Sequence, residues 1–472
     1  MNPDTSHRTQ FVITDLILSS VAWFLFSIIR FHTLAEANGF VSLSSYLTFH
    51  TVLIGQILIP LGMTGIYWLS GFYNHTFSKS RLEIILTSFS SVLIGAIFIY
   101  FGIIVDDPIP DRLSNYLLML ILMGIFIILI LAGRLTINHI IRRNIASGKC
   151  AKRMLIVGDY HAVEYCFKRL CNDNRLSGIK IAGLIITDNH YRDGINNNVP
   201  VYQLETLRDC CDLSSINGLI IATDREKPES LLRLVKLLYP FNIPLLLPSW
   251  SSFTPLSKFR VKHIIGEPLT YISTPSFTES GRNIKRLVDI IISLPALIIL
   301  SPAILFMSIA VKLSSPGSIF YTQERVGRNR VPFTIYKFRT MITDSEPDGP
   351  ALSSEGDPRI TRLGQFMRKY RLDEIPQFWN VLKGDMSLVG PRPEREYYEK
   401  LIIARAPEYT LLHQLRPGIT SWGMVKYGYA SNIDQMIERL DYDMIYLDNV
   451  SLLVDLKIMF YTLRTVITGR GV

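Results

Sequence analysis

Four apolar runs occupy the first third of this chain and decide what it can become: Phe11–Phe31, Tyr46–Leu69, Ile84–Val105 and Tyr116–Leu131. Each is long enough, or nearly so, to cross a bilayer, since about 20 apolar residues span the hydrocarbon at the helical rise. Backbone polar groups cannot stay unpaired in lipid, so helices are the expected form of such runs. Basic residues set the orientation. Lys79 and Arg81 lie between the second and third runs, and Arg134, Arg142, Arg143, Lys149, Lys152 and Arg153 follow the fourth. The loop between the third and fourth is acidic, with Asp106, Asp107 and Asp111. Positive charge stays inside, so both ends of a four-helix transmembrane bundle over residues 1–147 are expected in the cytoplasm. Asp15 and Arg30 lie toward the ends of the first run, and snorkelling to the interface accounts for both. The first run is too long for a signal peptide and has no small-residue cleavage site after it, so it should be retained.

From Lys152 the pattern changes to alternation of short strands and helices. Met154–Val157, Ile179–Ile186, Gly218–Ala222 and Ile243–Leu247 read as strands, with helices near Ala162–Leu170 and Pro228–Leu238. Residues 148–250 are therefore expected to form a Rossmann-like α/β domain. It is a poor dinucleotide site. Gly158 is followed by Asp159, Tyr160, His161 and Ala162, so the glycines that let a backbone approach pyrophosphate are missing. Asp188 is placed to hold a ribose, but strand-end aspartates are commonly turn formers. Cys150, Cys166, Cys171, Cys210 and Cys211 include no Cys-x-x-Cys pair, which reads as reduced thiols in a cytosolic portion. Residues 251–280 read as a linker.

The chemistry-bearing residues lie beyond it, in 281–472. Lys285 and Arg286 stand at the membrane interface before a long apolar stretch, Leu287–Val311, which Ser301 and Pro302 interrupt. A β-hairpin follows, Ile319–Arg325 and Val331–Arg339, turning at Gly327–Arg330 and carrying Arg325, Arg328, Arg330, Lys337 and Arg339. After a Gly-, Pro- and Ser-rich loop, Pro347–Gly356, comes Asp357-Pro-Arg359-Ile-Thr-Arg362. Asp373 and Glu374 then sit just ahead of Pro376 and an amphipathic run, Ile375, Phe378, Trp379 and Leu382, which opens as a short helix and stops at Gly384. Helix N-termini favour anions, so Asp373 is expected to be fully ionised. Arg368, Lys369 and Arg371 precede the acids and Arg392 follows, and two carboxylates among arginines suit a metal-bridged pyrophosphate. The plainer alternative is that Asp373 caps a helix and the arginines solvate it. Tyr442–Thr468 has the spacing of an interfacial or packing helix.

The segments KRLVDIIISLPALIILSPAIL, QERVGRNRVPFTIYKFRTM and DEIPQFWNVLKGDMSLVGPRP, in this order, resemble the large monotopic phosphoglycosyl transferases, the bacterial exopolysaccharide polyprenyl-phosphate sugar-1-phosphate transferases of the undecaprenyl-phosphate glucose/galactose phosphotransferase type. The resemblance is close over 281–472 and looser over the rest. It implies a membrane protein of α plus α/β class, with a monotopic α+β catalytic domain whose re-entrant membrane helix covers 287–311. It also implies transfer of a sugar-1-phosphate from a UDP-sugar, best UDP-glucose or UDP-galactose, to undecaprenyl phosphate with release of UMP. Asp373 would be the nucleophile and the protein ligand of Mg²⁺, and Glu374 would assist it. Arg325, Arg328, Lys337, Arg339, Arg359, Arg368 and Arg392 would hold phosphate or substrate. Membrane lipid is the expected surroundings, at the bacterial inner membrane with the catalytic domain on the cytoplasmic face, and self-association into a homo-oligomer is open. The net charge of +9 would also suit nucleic acid, but no zinc-ligand spacing, RNA-binding signature or long basic helix supports that partner. The run Thr420-Ser421-Trp422-Gly423 and Lys426–Ala430 departs from the family's Thr-Gly-Trp and Gly-Arg pattern, and leaves the sugar undefined. A membrane nucleotide-sugar dehydratase or epimerase has the same layout, but it needs an intact glycine fingerprint and a Tyr-x-x-x-Lys pair, neither of which occurs here. A non-catalytic, nucleotide-sensing membrane scaffold is the third reading.

Overall fold

The computed structural model describes residues 3–38, 42–74, 79, 81–105, 112–146, 152–172, 179–187, 199–203, 216–222, 234–235, 237–238, 241, 243–248, 261–263, 268–271, 278–342, 349, 352 and 357–468. Asp188 and nearly all of Pro347–Gly356 lie outside the described residues.

Among the described residues five helices are long and apolar enough to cross a membrane: His7–Thr33, His50–Leu69, Arg81–Ile104, Leu113–Asn144 and Glu279–Ser314. The first four belong to α1 (Pro3–Asn38), α2 (His50–Leu69), α3 (Arg81–Ile99, extended by a π-helical turn to Ile104) and α4 (Arg112–Ala146). They pack in neighbouring pairs, α1 against α2 and α4, and α3 against α2 and α4. Their shared core holds Trp23, Phe26, Tyr67, Val92, Phe126 and Ile130. Gly95 meets Met63 and Gly133 meets Leu18 so closely that a Cβ on either would come within 2.3 Å of the facing side chain. Small residues at such crossings let helix backbones approach in lipid, where packing rather than water exclusion drives association.

Asp15 does not snorkel. It is wholly buried and pairs with the wholly buried Arg134 at 2.7 Å. Tyr73 donates to Asp15 at 2.9 Å, and Arg134 donates to Ser88 at 2.7 Å. The guanidinium lies 3.5 Å from the ring centroid of Phe72. With several donors on the carboxylate and an aromatic face under the cation, burial inside the bundle is tolerable where a lone charge would not be. Arg134, read from sequence as a cytoplasmic flanking charge, is thus an interior residue.

The described residues of 152–271 form a seven-stranded sheet ordered β3-β2-β1-β4-β5-β7-β6. The strands are β1 (Lys152–Gly158), β2 (Ile179–Ile186), β3 (Val201–Gln203), β4 (Gly218–Ala222), β5 (Leu245–Pro248), β6 (Val261–His263) and β7 (Pro268–Tyr271). The first five are parallel, and β6 and β7 add antiparallel at one edge. Part of the stretch expected to be a linker is therefore sheet. Strand β1 is buried on both faces, as parallel strands are. Met154 and Ile156 pack toward α5 (Tyr160–Asn172) through Val163, Cys166 and Phe167, while Leu155 and Val157 meet Leu234 and Leu238 behind.

The fifth long helix, α6 (Glu279–Ser314), opens on Thr278, whose hydroxyl accepts from Gly281 N at 3.1 Å. Pro302 lacks the N–H that the Ile298 carbonyl would receive, and Ser301 Oγ supplies a donor to that oxygen at 2.7 Å. Helical assignment continues through both residues, so the expected break is a repaired turn within one element. Both ends of α6 dock on the C-terminal unit. At its start Arg286 donates to the Val381 and Leu382 carbonyls at 2.5 and 2.8 Å, and Lys285 is ion-paired with Asp455. Near its end Met307 and Val311 pack on Phe338 and Met367. Lys285 and Arg286 are therefore anchors within the protein, where sequence placed them at the membrane interface; Arg286 meets the carbonyls left open at a helix C-terminus.

Candidate active site

The hairpin expected from sequence forms from β8 (Phe320–Val326) and β9 (Pro332–Phe338), paired with Tyr321 opposite Lys337 and Gln323 opposite Ile335. Strand side chains alternate faces, so Tyr321, Gln323, Arg325, Ile335 and Lys337 share one side. That side lines a cavity of about 460 Å³.

Asp373 and Glu374 enter the same cavity from a short 3₁₀ turn, Leu372–Glu374, that follows α7 (Arg362–Lys369). Arg371 begins this turn with φ 53°, a left-handed conformation unusual for a residue with a Cβ. Backbone of this kind collects at functional sites, where surrounding structure holds it. Helix α8 (Gln377–Lys383) starts only after the turn, with Pro376 at its N-cap, no side-chain cap, and Gly384 closing it at φ 99°. Asp373 is thus not a helix cap. Asn380 on α8 accepts from Tyr336 N at 3.1 Å and donates to Thr334 O at 2.7 Å, locking the acidic turn's helix to β9.

The two acids are buried and differ in their partners. Glu374 takes Lys337 at 2.8 Å and Arg371 at 3.4 Å, with Arg392 at 4.0 Å. Burial alone would raise it, but Lys337, Arg371 and Arg392 hold its carboxyl well below the ordinary range. Asp373 Oδ1 is buried with no hydrogen-bond partner among the described residues. Burial and the adjoining Glu374 charge push Asp373 up to about 6, so the expectation of a fully ionised aspartate is corrected: desolvation outweighs the nearby cations. Of the remaining walls, Arg368 donates to Thr340 at 3.0 Å and Arg325 to the Pro393 carbonyl at 3.1 Å. Arg392 rests on Met424 Sδ at 3.4 Å.

Comparison with known proteins places the chain in a family. The bacterial sugar transferase family model matches residues 280–469. The chain is 44% identical over 40% of its length to a UDP-N-acetylgalactosamine-undecaprenyl-phosphate N-acetylgalactosaminephosphotransferase of Aeromonas hydrophila. It is 35% identical over 46% of its length to a UDP-glucose:undecaprenyl-phosphate glucose-1-phosphate transferase of Escherichia coli. These alignments span 44% and 47% of those two relatives, less than half of either. An exopolysaccharide production protein of Rhizobium leguminosarum is 38% identical over 98% of its own length and 40% of this chain. The chain belongs to the bacterial sugar transferase family.

In this sugar transferase the structure gathers Asp373, Glu374, Arg325, Lys337, Arg339, Arg368 and Arg392 around one cavity. Arg339 touches it but is turned to α6, donating to the Ser315 carbonyl at 2.7 Å and to Pro316 O, so its guanidinium closes the helix end. Arg359 is outside the lining and clamps Asp357, with Nη2 2.6 Å from Oδ2. That bond holds the Asp357 carboxyl down at about 2 and makes the pair a loop brace. Arg328, at the hairpin tip, is also outside the lining. The cavity includes Arg371, already named from sequence beside the acids, and adds residues that motif reading passed over: Tyr321, Gln323, Arg395 and Tyr429. Hairpin alternation carried the signal for the first two. Tyr429 falls in the run already marked as departing from the family pattern.

Among the described residues no group of three His, Cys, Asp or Glu is placed to hold a metal. Mg²⁺ needs no such group, since it binds through one or two carboxylates plus substrate phosphates and water. The unpartnered Asp373 Oδ1 fits that role, whereas the Glu374 carboxylate is already engaged by cations.

Proposed function

We propose that the protein transfers a hexose-1-phosphate from a UDP-sugar to undecaprenyl phosphate and releases UMP, an initiating membrane step of exopolysaccharide assembly. The observation that carries this is one buried, unpartnered carboxylate oxygen in a cavity walled by cations, beside a second carboxylate already neutralised. The names of the relatives support the donor and acceptor classes; they carry glucose in one case and N-acetylgalactosamine in another.

In the first half-reaction an Asp373 oxygen attacks the β-phosphorus. The bond from that phosphorus to the bridging oxygen breaks, and UMP leaves with the bond's electron pair. In the second, a phosphate oxygen of the lipid attacks the phosphosugar and frees the Asp373 carboxylate. In-line transfer of this kind rests on positioning and charge stabilisation. Lys337 and Arg371 fix Glu374, and the ionised Glu374 keeps those cations at the cavity floor. Arg368 and Arg392 supply positive charge where phosphate oxygens gather. Mg²⁺, when bound at Asp373, would neutralise pyrophosphate charge.

The finer architecture follows the same proposal: a four-helix bundle, a Rossmann-like domain and a monotopic catalytic unit at the cytoplasmic face of the inner membrane. The anchoring of both α6 ends on one unit supports a re-entrant helix, since a crossing would separate them by a bilayer of about 30 Å. Purified protein with undecaprenyl phosphate, Mg²⁺ and a panel of UDP-sugars tests the reaction. UMP formation that depends on one UDP-hexose and on the lipid is expected; its absence with every donor removes the proposal.

A further inference from the structure

We infer that the junction of α6, the hairpin tip and the segment before β11 (Gly418–Thr420) is a second anion site, separate from the Asp373 cavity, that takes a phosphate group. The hairpin tip that carries Arg328 packs on Pro407–Gln414, just ahead of Arg416, and Arg328, Arg416 and Arg282 from the first turn of α6 lie close enough to repel one another. Arg328 donates its side chain to no acceptor among the described residues, and its Nε is buried. Among the described residues Arg282 Nε is likewise buried and unpartnered, and the guanidinium pairs with Glu279 at 3.3 Å. That glutamate is shared with Asn74 of the bundle, at 3.1 Å. Arg416 donates Nε to the Gly384 carbonyl at 3.1 Å. Asp289 acts on Arg416 but not on Arg328; its Oδ1 accepts from Ser387 and Leu388 N, each at 3.0 Å, and its Oδ2 has no hydrogen-bond partner among the described residues, so three arginines face two acids, Glu279 and Asp289.

Positive charge is therefore in excess, and buried charged donors without acceptors are costly to leave unmet. Burial first, then Arg416 and Arg282, push Arg328 down to about 10, the response of a cation short of a counter-charge. Phosphate oxygens match guanidinium donors in geometry and charge. The junction lies at the foot of α2, where Asn283 donates to Trp68 O at 2.5 Å. An anionic lipid headgroup and a free phosphate both carry the required chemistry.

Full-length protein in nanodiscs distinguishes them. Thermal unfolding would be followed in phosphatidylcholine, in phosphatidylcholine with phosphatidylglycerol, and in phosphatidylcholine with inorganic phosphate, all at matched ionic strength. Wild type and Asp373→Asn should both melt higher with one of the two additions. Phosphatidylglycerol as the effective one identifies the headgroup, and inorganic phosphate identifies a free anion. The Arg282→Gln/Arg328→Gln pair should lose that shift while Arg282→Lys/Arg328→Lys keeps part of it. No upward shift in wild type, or an undiminished shift in the Gln pair, would overturn the site.

Discussion

Asp373 and Glu374 adjoin in sequence, yet one is free to react and the other is held by cations. Asp373→Asn should abolish UMP release while leaving the melting curve near wild type, because an amide cannot attack phosphorus and the cavity tolerates a neutral side chain. Appreciable turnover in the purified variant would remove the assignment. Since Asp373 ionises near 6, the first half-reaction should fall as pH drops through that value, above the ordinary carboxylate range. Lys337 favours the ionised form, so Lys337→Met should move the midpoint of the pH profile upward as well as lower the rate. A midpoint unchanged or lower would contradict that electrostatic account. The acids and their cations were legible as a cluster because they lie close together in the chain. Their division of roles was not, since it depends on which oxygen Lys337 reaches from a strand 37 positions away. For the same reason Arg339, Arg328 and Arg359 looked equivalent to Arg368 in sequence and separate in space.

At the scale of elements, the hairpin, the short helix before Gly384 and the apolar runs followed from period and turn residues alone. The strands within 251–280 did not, because strands of three and four residues leave almost no pattern. Asp15 shows a different limit. Its burial depends on Arg134, 119 positions away, and local hydropathy cannot report a partner at that distance. Replacing Arg134 alone by methionine leaves a buried carboxylate unpaired and should destabilise the folded protein by about 3–5 kcal/mol. Adding Asp15→Asn should recover a large part of that. Thermal melts of the single and double variants check it, and additive losses would deny the coupling. For α6, single cysteines in a cysteine-free background at Ile284 and Ser314 should both react with an impermeant reagent from the cytoplasmic side alone. Ser314 labelled only from the opposite face would establish a full crossing.

For the whole molecule, every residue that lines the Asp373 cavity lies between Ser318 and Arg439. A fragment beginning at Thr278, which keeps the α6 cap, should therefore retain turnover per folded molecule within an order of magnitude of the full chain. Complete loss in a well-folded fragment would show that the bundle contributes to the cavity. The bundle then matters through contacts such as Asn74 with Glu279 and Asn283, which hold the start of α6.

The double anchoring of α6 also bears on how the protein is made. Its first anchors are assembled across long intervals of chain: Arg286 waits for residues 95 positions later, and Lys285 for Asp455, 170 positions later. At elongation of about 5–20 residues per second, α6 spends many seconds outside the ribosome before its partners exist. During that interval the helix has only lipid, the bundle and any insertion machinery to hold it. Chains stalled before α9 (Leu452–Ile467) would carry Lys285 without its acid, and are the species a membrane quality-control protease would be expected to meet.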